Sequence, residues 1–207
     1  MSGKNKENLK IVINGSGAAG GAIAKLLKKF GIKNIILCDR SGIISKNREG
    51  LTKVKREMAE VYNPNNESGL VFDALIDADI FIGVSSGNLL KKEDIEKMAE
   101  NPAVFAMANP IPEIMPDIAV EAGALVVGTG RSDFANQLNN VLVFPGIFKG
   151  ALDCGARDIT DEMKLAAAYG LANLVKIPKP EKIIPSPFDT GVAEAVAKAV
   201  IDEYKKE

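Results

Sequence analysis

The sequence predicts an α/β fold: a doubly wound, mostly parallel sheet with helices on both faces and a helical C-terminal tail. Three observations lead there. Apolar runs of strand length alternate with stretches of helical period. The runs are nearly uninterrupted in Ile, Val, Leu and Phe, as strands buried on both faces require. A glycine-rich turn also stands where the first such run gives way to the first helical stretch.

The elements follow in order. Residues 1–9 form a polar, lysine-rich lead without the apolar segment of a secretory leader. Ile11-Val12-Ile13 reads as a buried strand, and Ala18 to Phe30 as a helix stopped by Gly31. Further strands are expected at Ile35 to Cys38, Ile80 to Val84, Ala103 to Met107 and Ala124 to Val127, with Val141 to Phe144 as the last. Helical patterns lie at Thr52 to Tyr62, Lys92 to Glu100 and Pro116 to Ala122. The final third changes character. Thr160 caps a run whose Asp161 and Glu162 suit the positive end of a helix dipole, and helical spacing continues to about Val175. Pro178, Pro180, Pro185 and Pro187 make a connector, after which Asp189 or Thr190 caps a helix to the C-terminus. Residues 10–176 are thus expected to form one sheet-bearing domain, with 177–207 as connector and helix on or beside it.

Composition narrows the chemistry. The 207 residues fit one large domain, 46% hydrophobic and 26% charged. Lys plus Arg (26) nearly balances Asp plus Glu (27), which leaves no basic footprint for nucleic acid or an anionic membrane. No stretch approaches the roughly 18 apolar residues that cross a bilayer. There is no histidine, which excludes Ser-His and Cys-His nucleophiles, His bases and His-held metals in this chain. Cys38 and Cys154 lie far apart without CxxC pairing, so reduced thiols in a cytoplasmic protein are expected.

The strongest local signal is Asn14-Gly15-Ser16-Gly17-Ala18-Ala19-Gly20, placed between a predicted strand and a predicted helix. Gly15 permits the tight turn, Gly17 lets the backbone approach a diphosphate, and Gly20 lets the helix pack closely on the strand. The N–H groups of Ser16, Ala18 and Ala19 would face the phosphates at the helix N-terminus. Nineteen residues after Gly20, at the end of the second strand, Asp39 stands where a carboxylate can bind the adenosine ribose. This pattern makes the sheet Rossmann-type. Asp39 favours NAD, because a carboxylate repels a 2′-phosphate. Arg40, Lys46 and Arg48 leave NADP open, since they could pair with that phosphate or simply form a solvated loop.

The strings NGSGAAG, ILCDRSGII, DIFIGVSS, FAMANPIPEIMPD, GTGRSDFANQLNNVLVFPGIFKGALD and IIPSPFD resemble the dinucleotide-binding domain of bacterial and archaeal malic enzymes, from about Leu9 to Val200. Small departures are Gly21, Ala135 and Ser86-Gly87-Asn88. The resemblance implies oxidation of malate with NAD(P) and decarboxylation to pyruvate, with Mg²⁺ or Mn²⁺ and with Lys and Tyr moving the protons. It places Asn109 against substrate and nicotinamide ribose and Asn140 on a malate carboxylate. Ser85 and Ser86, after the strand ending at Val84, fall in the loop at the carboxyl edge of the sheet, where they would face the cofactor or simply form the loop. On the residues alone, Asn109 reads better as a strand-end residue before a turn proline, and Asn140 as part of an Asn turn before a strand.

The resemblance also implies that the Tyr, the Lys and the metal carboxylates belong to an N-terminal domain outside these residues. The expectation is a chain that binds dinucleotide but turns over malate only with that domain, and that forms homo-oligomers. The Phe144-Pro145-Gly146-Ile147-Phe148 segment and the C-terminal helix are the expected docking face. Two alternatives stay open: a stand-alone NAD-binding or redox-sensing module, and the cofactor domain of another dehydrogenase.

Overall fold

The structure is a computed structural model describing residues 3–206. It divides into two compact units that part between Gly130 and Arg131, earlier than the break after residue 176 read from the sequence.

The first unit holds the sheet. Its strands are β1 (Lys10–Asn14), β2 (Asn34–Asp39), β3 (Gly42–Ile43), β4 (Ile80–Gly83), β5 (Ala103–Ala106) and β6 (Val126–Thr129), in the spatial order β3-β2-β1-β4-β5-β6. All neighbours are parallel except β2 and β3, a short antiparallel pair that the apolar pattern did not announce. Ile11 pairs with Ile35 on one side and Ile80 on the other, which places β1 at the centre of the order. The alternation of side chains sorts the strands onto two faces. Val12, Ile36, Phe81 and Val104 enter one apolar cluster, while Ile11, Ile13, Ile35, Leu37 and Ile82 enter the other. Both faces are therefore covered, as continuous apolar strands demand.

The helices of this unit are α1 (Ala18–Phe30), α2 (Lys53–Val61), α3 (Val71–Ala74), α4 (Lys92–Ile95) and α5 (Pro116–Glu121). Helix α1 buries Gly20 and Ala24 and rests Ile23, Leu27 and Phe30 on the second cluster. It stops at Gly31, whose φ of 106° lets its N–H reach back to the carbonyls of Leu27 and Lys28. Thr52 caps α2 by accepting the Lys55 N–H. Helix α4 is shorter than its pattern, ending at Ile95 rather than near Glu100. Successive strands lie on opposite sides of β1, so the crevice at its carboxyl end is the topological switch where such sheets take ligands.

The second unit is helical. A 3-10 turn over Asn140–Leu142 leads into α6 (Phe144–Asp153), followed by α7 (Asp161–Ala172) and α8 (Val192–Tyr204). The strand expected at Val141 to Phe144 does not form. Pro145 occupies the first turn of α6, where its missing N–H is harmless, and Leu142, Ile147 and Ala151 bury together with α7 and α8 side chains. Thr160 caps α7 as the sequence indicates, but α7 ends at Ala172 rather than near Val175. Neither Asp189 nor Thr190 caps α8. Gly191 does so in the left-handed region, and Asp189 instead accepts the Ser186 N–H in the preceding turn.

Helices α6 and α7 approach α8 through glycines. A Cβ at Gly150 would stand 2.7 Å from the Ala197 carbonyl oxygen and 2.9 Å from Val200 Cβ. One at Gly146 would stand 2.6 Å from Val196 Cβ. Gly150→Val therefore forces α6 off α8 and should cost about 1–3 kcal/mol, read as a lower urea midpoint at unchanged slope.

Candidate functional site

The exit of β1 forms the glycine turn. Gly15 turns the chain at φ 119°, and its N–H donates to the Cys38 carbonyl at 2.9 Å, tying the turn to the end of β2. A Cβ at Gly15 would lie 2.8 Å from the Val84 carbonyl oxygen. At Gly20 it would lie 1.7 Å from the Gly15 carbonyl oxygen, so only glycine lets α1 come this close. Gly17 is different. Beyond its own chain neighbours, nothing stands within 4 Å of the place its Cβ would occupy. It is the N-cap of α1, and no side chain caps the helix there. Ala18 and Ala19 are exposed, and first-turn N–H groups have no intrahelical acceptor. Donors in a row, open space and the positive helix end fit the diphosphate of a dinucleotide. Ser16, Gly17, Ala18, Thr52, Lys55 and Met58 line an open cleft of about 410 Å³ at this point.

Asp39 ends β2 beside it and is engaged by two cations. Both carboxylate oxygens accept from Arg48 Nη2 at 2.8 Å, and Oδ2 also accepts from Lys55 Nζ at 2.6 Å. The Ser41 N–H adds a bond of 2.8 Å to Oδ1. Burial alone would raise the Asp39 carboxyl, but the hydrogen bonds from Arg48 and Lys55 outweigh it and hold the pKa down to about 2. Arg48 is further fixed by donating to the Gly42 and Ile43 carbonyls, so it is not a solvated loop charge. Lys46 pairs with Glu60 at 3.1 Å, and Arg40 stands exposed after Asp39. The part played by Lys55 was not legible: it comes from α2, outside the strand-end segment in which Asp39 was found.

Further along the carboxyl edge of the sheet, Ser85 and Ser86 are exposed after β4, and Asn109 is exposed after β5. The Asn109 amide lies beside Gly130, where an added Cβ would be 3.4 Å from its Nδ2 and Oδ1. Beneath them sits Glu113, fully buried, accepting the Ser85 N–H at 3.2 Å and the Ala108 N–H at 3.1 Å. The sequence reading passed over Glu113, although a lone carboxylate in the Pro-rich string Asn109-Pro110-Ile111-Pro112-Glu113 was a usable signal.

In the second unit, Asn139 accepts the Val141 N–H at 3.0 Å and so makes the turn. Asn140 beside it is exposed, with its side chain not committed to that cap. Asp79 accepts the Lys10 N–H at 2.8 Å and pairs with Lys4, holding the start of β1. Cys38 is buried, and that burial together with the Asp39 charge pushes its thiol up to about 12, far from a nucleophile at neutral pH. Among the described residues no group of three or more Cys, Asp and Glu side chains is placed to hold a metal, and no helix is long and apolar enough to cross a membrane.

Residues 1–204 match the family described as malic enzyme, NAD binding domain. The chain is 53% identical over 203 residues to the bifunctional malic/malolactic enzyme of Bacillus subtilis, covering 97% of this chain and 50% of that protein. It is 40% identical to the NADP-dependent malic enzyme of Halomonas elongata, covering 97% of this chain and 51% of the other. The crystal structure of the NAD-dependent malic enzyme of Thermotoga maritima superposes with a TM-score of 0.91 at 48% identity, over 96% of this chain and 52% of that one. The chain thus spans about half the length of the relatives it matches. With the glycine cradle, the strand-end carboxylate and the sheet order in agreement, this chain belongs to the malic-enzyme family and carries its NAD-binding domain.

Proposed function

We propose that these residues form the cofactor half of a malate-oxidising, decarboxylating site, completed by a malic-enzyme N-terminal domain. The observation that carries this reading is the glycine cradle: an uncapped helix N-terminus over open space at Gly17, held against β1 by the close approach at Gly20. Gly15, Ser16, Gly17, Ala18, Ala19 and Gly20 take the diphosphate, and Asp39 with Arg40 takes the adenosine ribose. Ser85, Ser86 and Asn109 face the nicotinamide half. Asn109 and Asn140 orient malate, and later pyruvate, with neutral amides, which avoid burying a further charge. The bound dinucleotide accepts the hydride. Proton transfer and the divalent ion, Mg²⁺ or Mn²⁺, belong to the partner domain, which is why this chain can lack histidine.

Phe144, Phe148 and Leu152 are exposed apolar residues of α6, with Val141 exposed in the turn before it and the two Phe rings stacked at 5.8 Å. Such a face supports docking, either to the partner domain or in a homo-oligomer. The relatives' names include both NAD- and NADP-dependent enzymes, and we infer a preference for NAD. Asp39 opposes a 2′-phosphate, and the cations near it are already neutralised.

Three outcomes are expected. NADH fluorescence should show binding to the purified chain, with no pyruvate formed from malate, NAD and Mn²⁺ until a separately produced N-terminal domain is added. Binding without any gain on addition would favour a stand-alone module. Replacing Asp39→Ser frees Arg48 and Lys55, so the ratio of NADPH to NADH affinity should rise about tenfold, the effect of roughly one charged hydrogen bond. Because Asp39 titrates near 2, it stays ionised above about pH 4, and the wild-type preference should be flat from pH 5 to 8 as far as Asp39 is concerned.

A further inference from the structure

We propose that Glu113 is a positioning residue for the nicotinamide half of the cofactor, acting through the backbone of Ser85 and Ala108. The proposal rests on the reading of Ser85, Ser86 and Asn109 as that half's binding residues. Glu113 is 0% exposed, and each of its oxygens accepts a backbone N–H from a different loop. Ser85 opens the loop after β4, and Ala108 directly precedes Asn109 in the loop after β5. One side chain therefore sets the separation of the two loops.

The surroundings are shaped to admit it. A Cβ at Gly83 would lie 2.2 Å from Glu113 Cδ and 2.4 Å from Oε1, so the last residue of β4 leaves the carboxyl its space. The same two loops are joined again by the Asn88 N–H on the Pro112 carbonyl and the Leu90 N–H on the Glu113 carbonyl, both at 2.9 Å. Gly87 packs on Ile111, with a Cβ there only 2.3 Å from its carbonyl oxygen. These bonds fix where the chain runs. Glu113 fixes the amide planes at the loop exits, from which the serine and asparagine side chains project. Buried backbone N–H groups need acceptors, and a carboxylate can serve two at once, whereas an amide of the same shape offers one acceptor and one donor. Glu113→Gln must therefore turn one N–H away and rotate one loop exit, while the diphosphate turn at Gly15 to Gly20 keeps its own support.

A comparison of ligands separates this role from general stability. ADP-ribose reads the glycine cradle and Asp39, and NADH reads these plus the nicotinamide half. In calorimetric titrations of the 207-residue chain, E113Q should bind ADP-ribose within about twofold of wild type and NADH about tenfold more weakly, with reduced enhancement of NADH emission. Gly83→Ala displaces the same carboxyl from the strand side and should give the same split, and it carries the test if E113Q fails to fold. Unchanged NADH binding in either folded variant, or equal weakening of both ligands, would overturn the proposal while leaving the cofactor site standing. A wild-type chain that binds neither ligand would overturn the cofactor reading and this role with it.

Discussion

The approach of α1 to the turn before it is the constraint on which the rest depends. A single added methyl at Gly20 would sit 1.7 Å from the Gly15 carbonyl oxygen, inside any allowed separation. That closeness places the uncapped end of α1 directly over the carboxyl end of β1, where the strand order reverses. The open ground at Gly17 follows from it, because the turn that brings Gly20 in leaves nothing over the helix N-terminus. What this turn offers is a set of backbone N–H donors and a helix dipole, with no side chain capping them.

Asp39 shows a second economy. A bare carboxylate at the end of β2 would repel an anion at the glycine turn, yet Arg48 and Lys55 hold Asp39 ionised and locally neutralised. The two cations reach it from different elements, a loop and α2, so the strand end, the hairpin at β3 and the helix are fixed relative to one another. If Asp39 takes the ribose as proposed, selectivity between cofactors depends on which partner each cation keeps when a 2′-phosphate competes with Asp39.

Much of this was legible from the sequence because it rests on local patterns. The Gly15-Gly17-Gly20 spacing, Asp39 at the end of a buried strand, and Thr160 as a cap are all short-range signals that the structure keeps. The parallel sheet and its two-faced burial followed from uninterrupted apolar runs, whereas the strand order came only with the pairing itself. What stayed hidden depends on pairing across the chain. Nothing near Gly42 announces the two-residue β3, whose existence depends on β2 as partner. The run Val141 to Phe144 looks like a strand until its partners are known, and those partners are helices α7 and α8. Lys55 and Glu113 share this character: each acts on groups in other loops, so a reading residue by residue passes them by.

On the proposed reading, the glycine cradle and the carboxyl edge of the sheet receive one dinucleotide. The most direct test is a ¹⁵N-resolved NMR titration of the chain with NADH. The account predicts the largest amide shifts at Gly17, Ala18 and Ala19, with further shifts at Arg40, Ser85, Ser86 and Asn109. Saturable binding that leaves the Gly17 to Ala19 amides unmoved would contradict it.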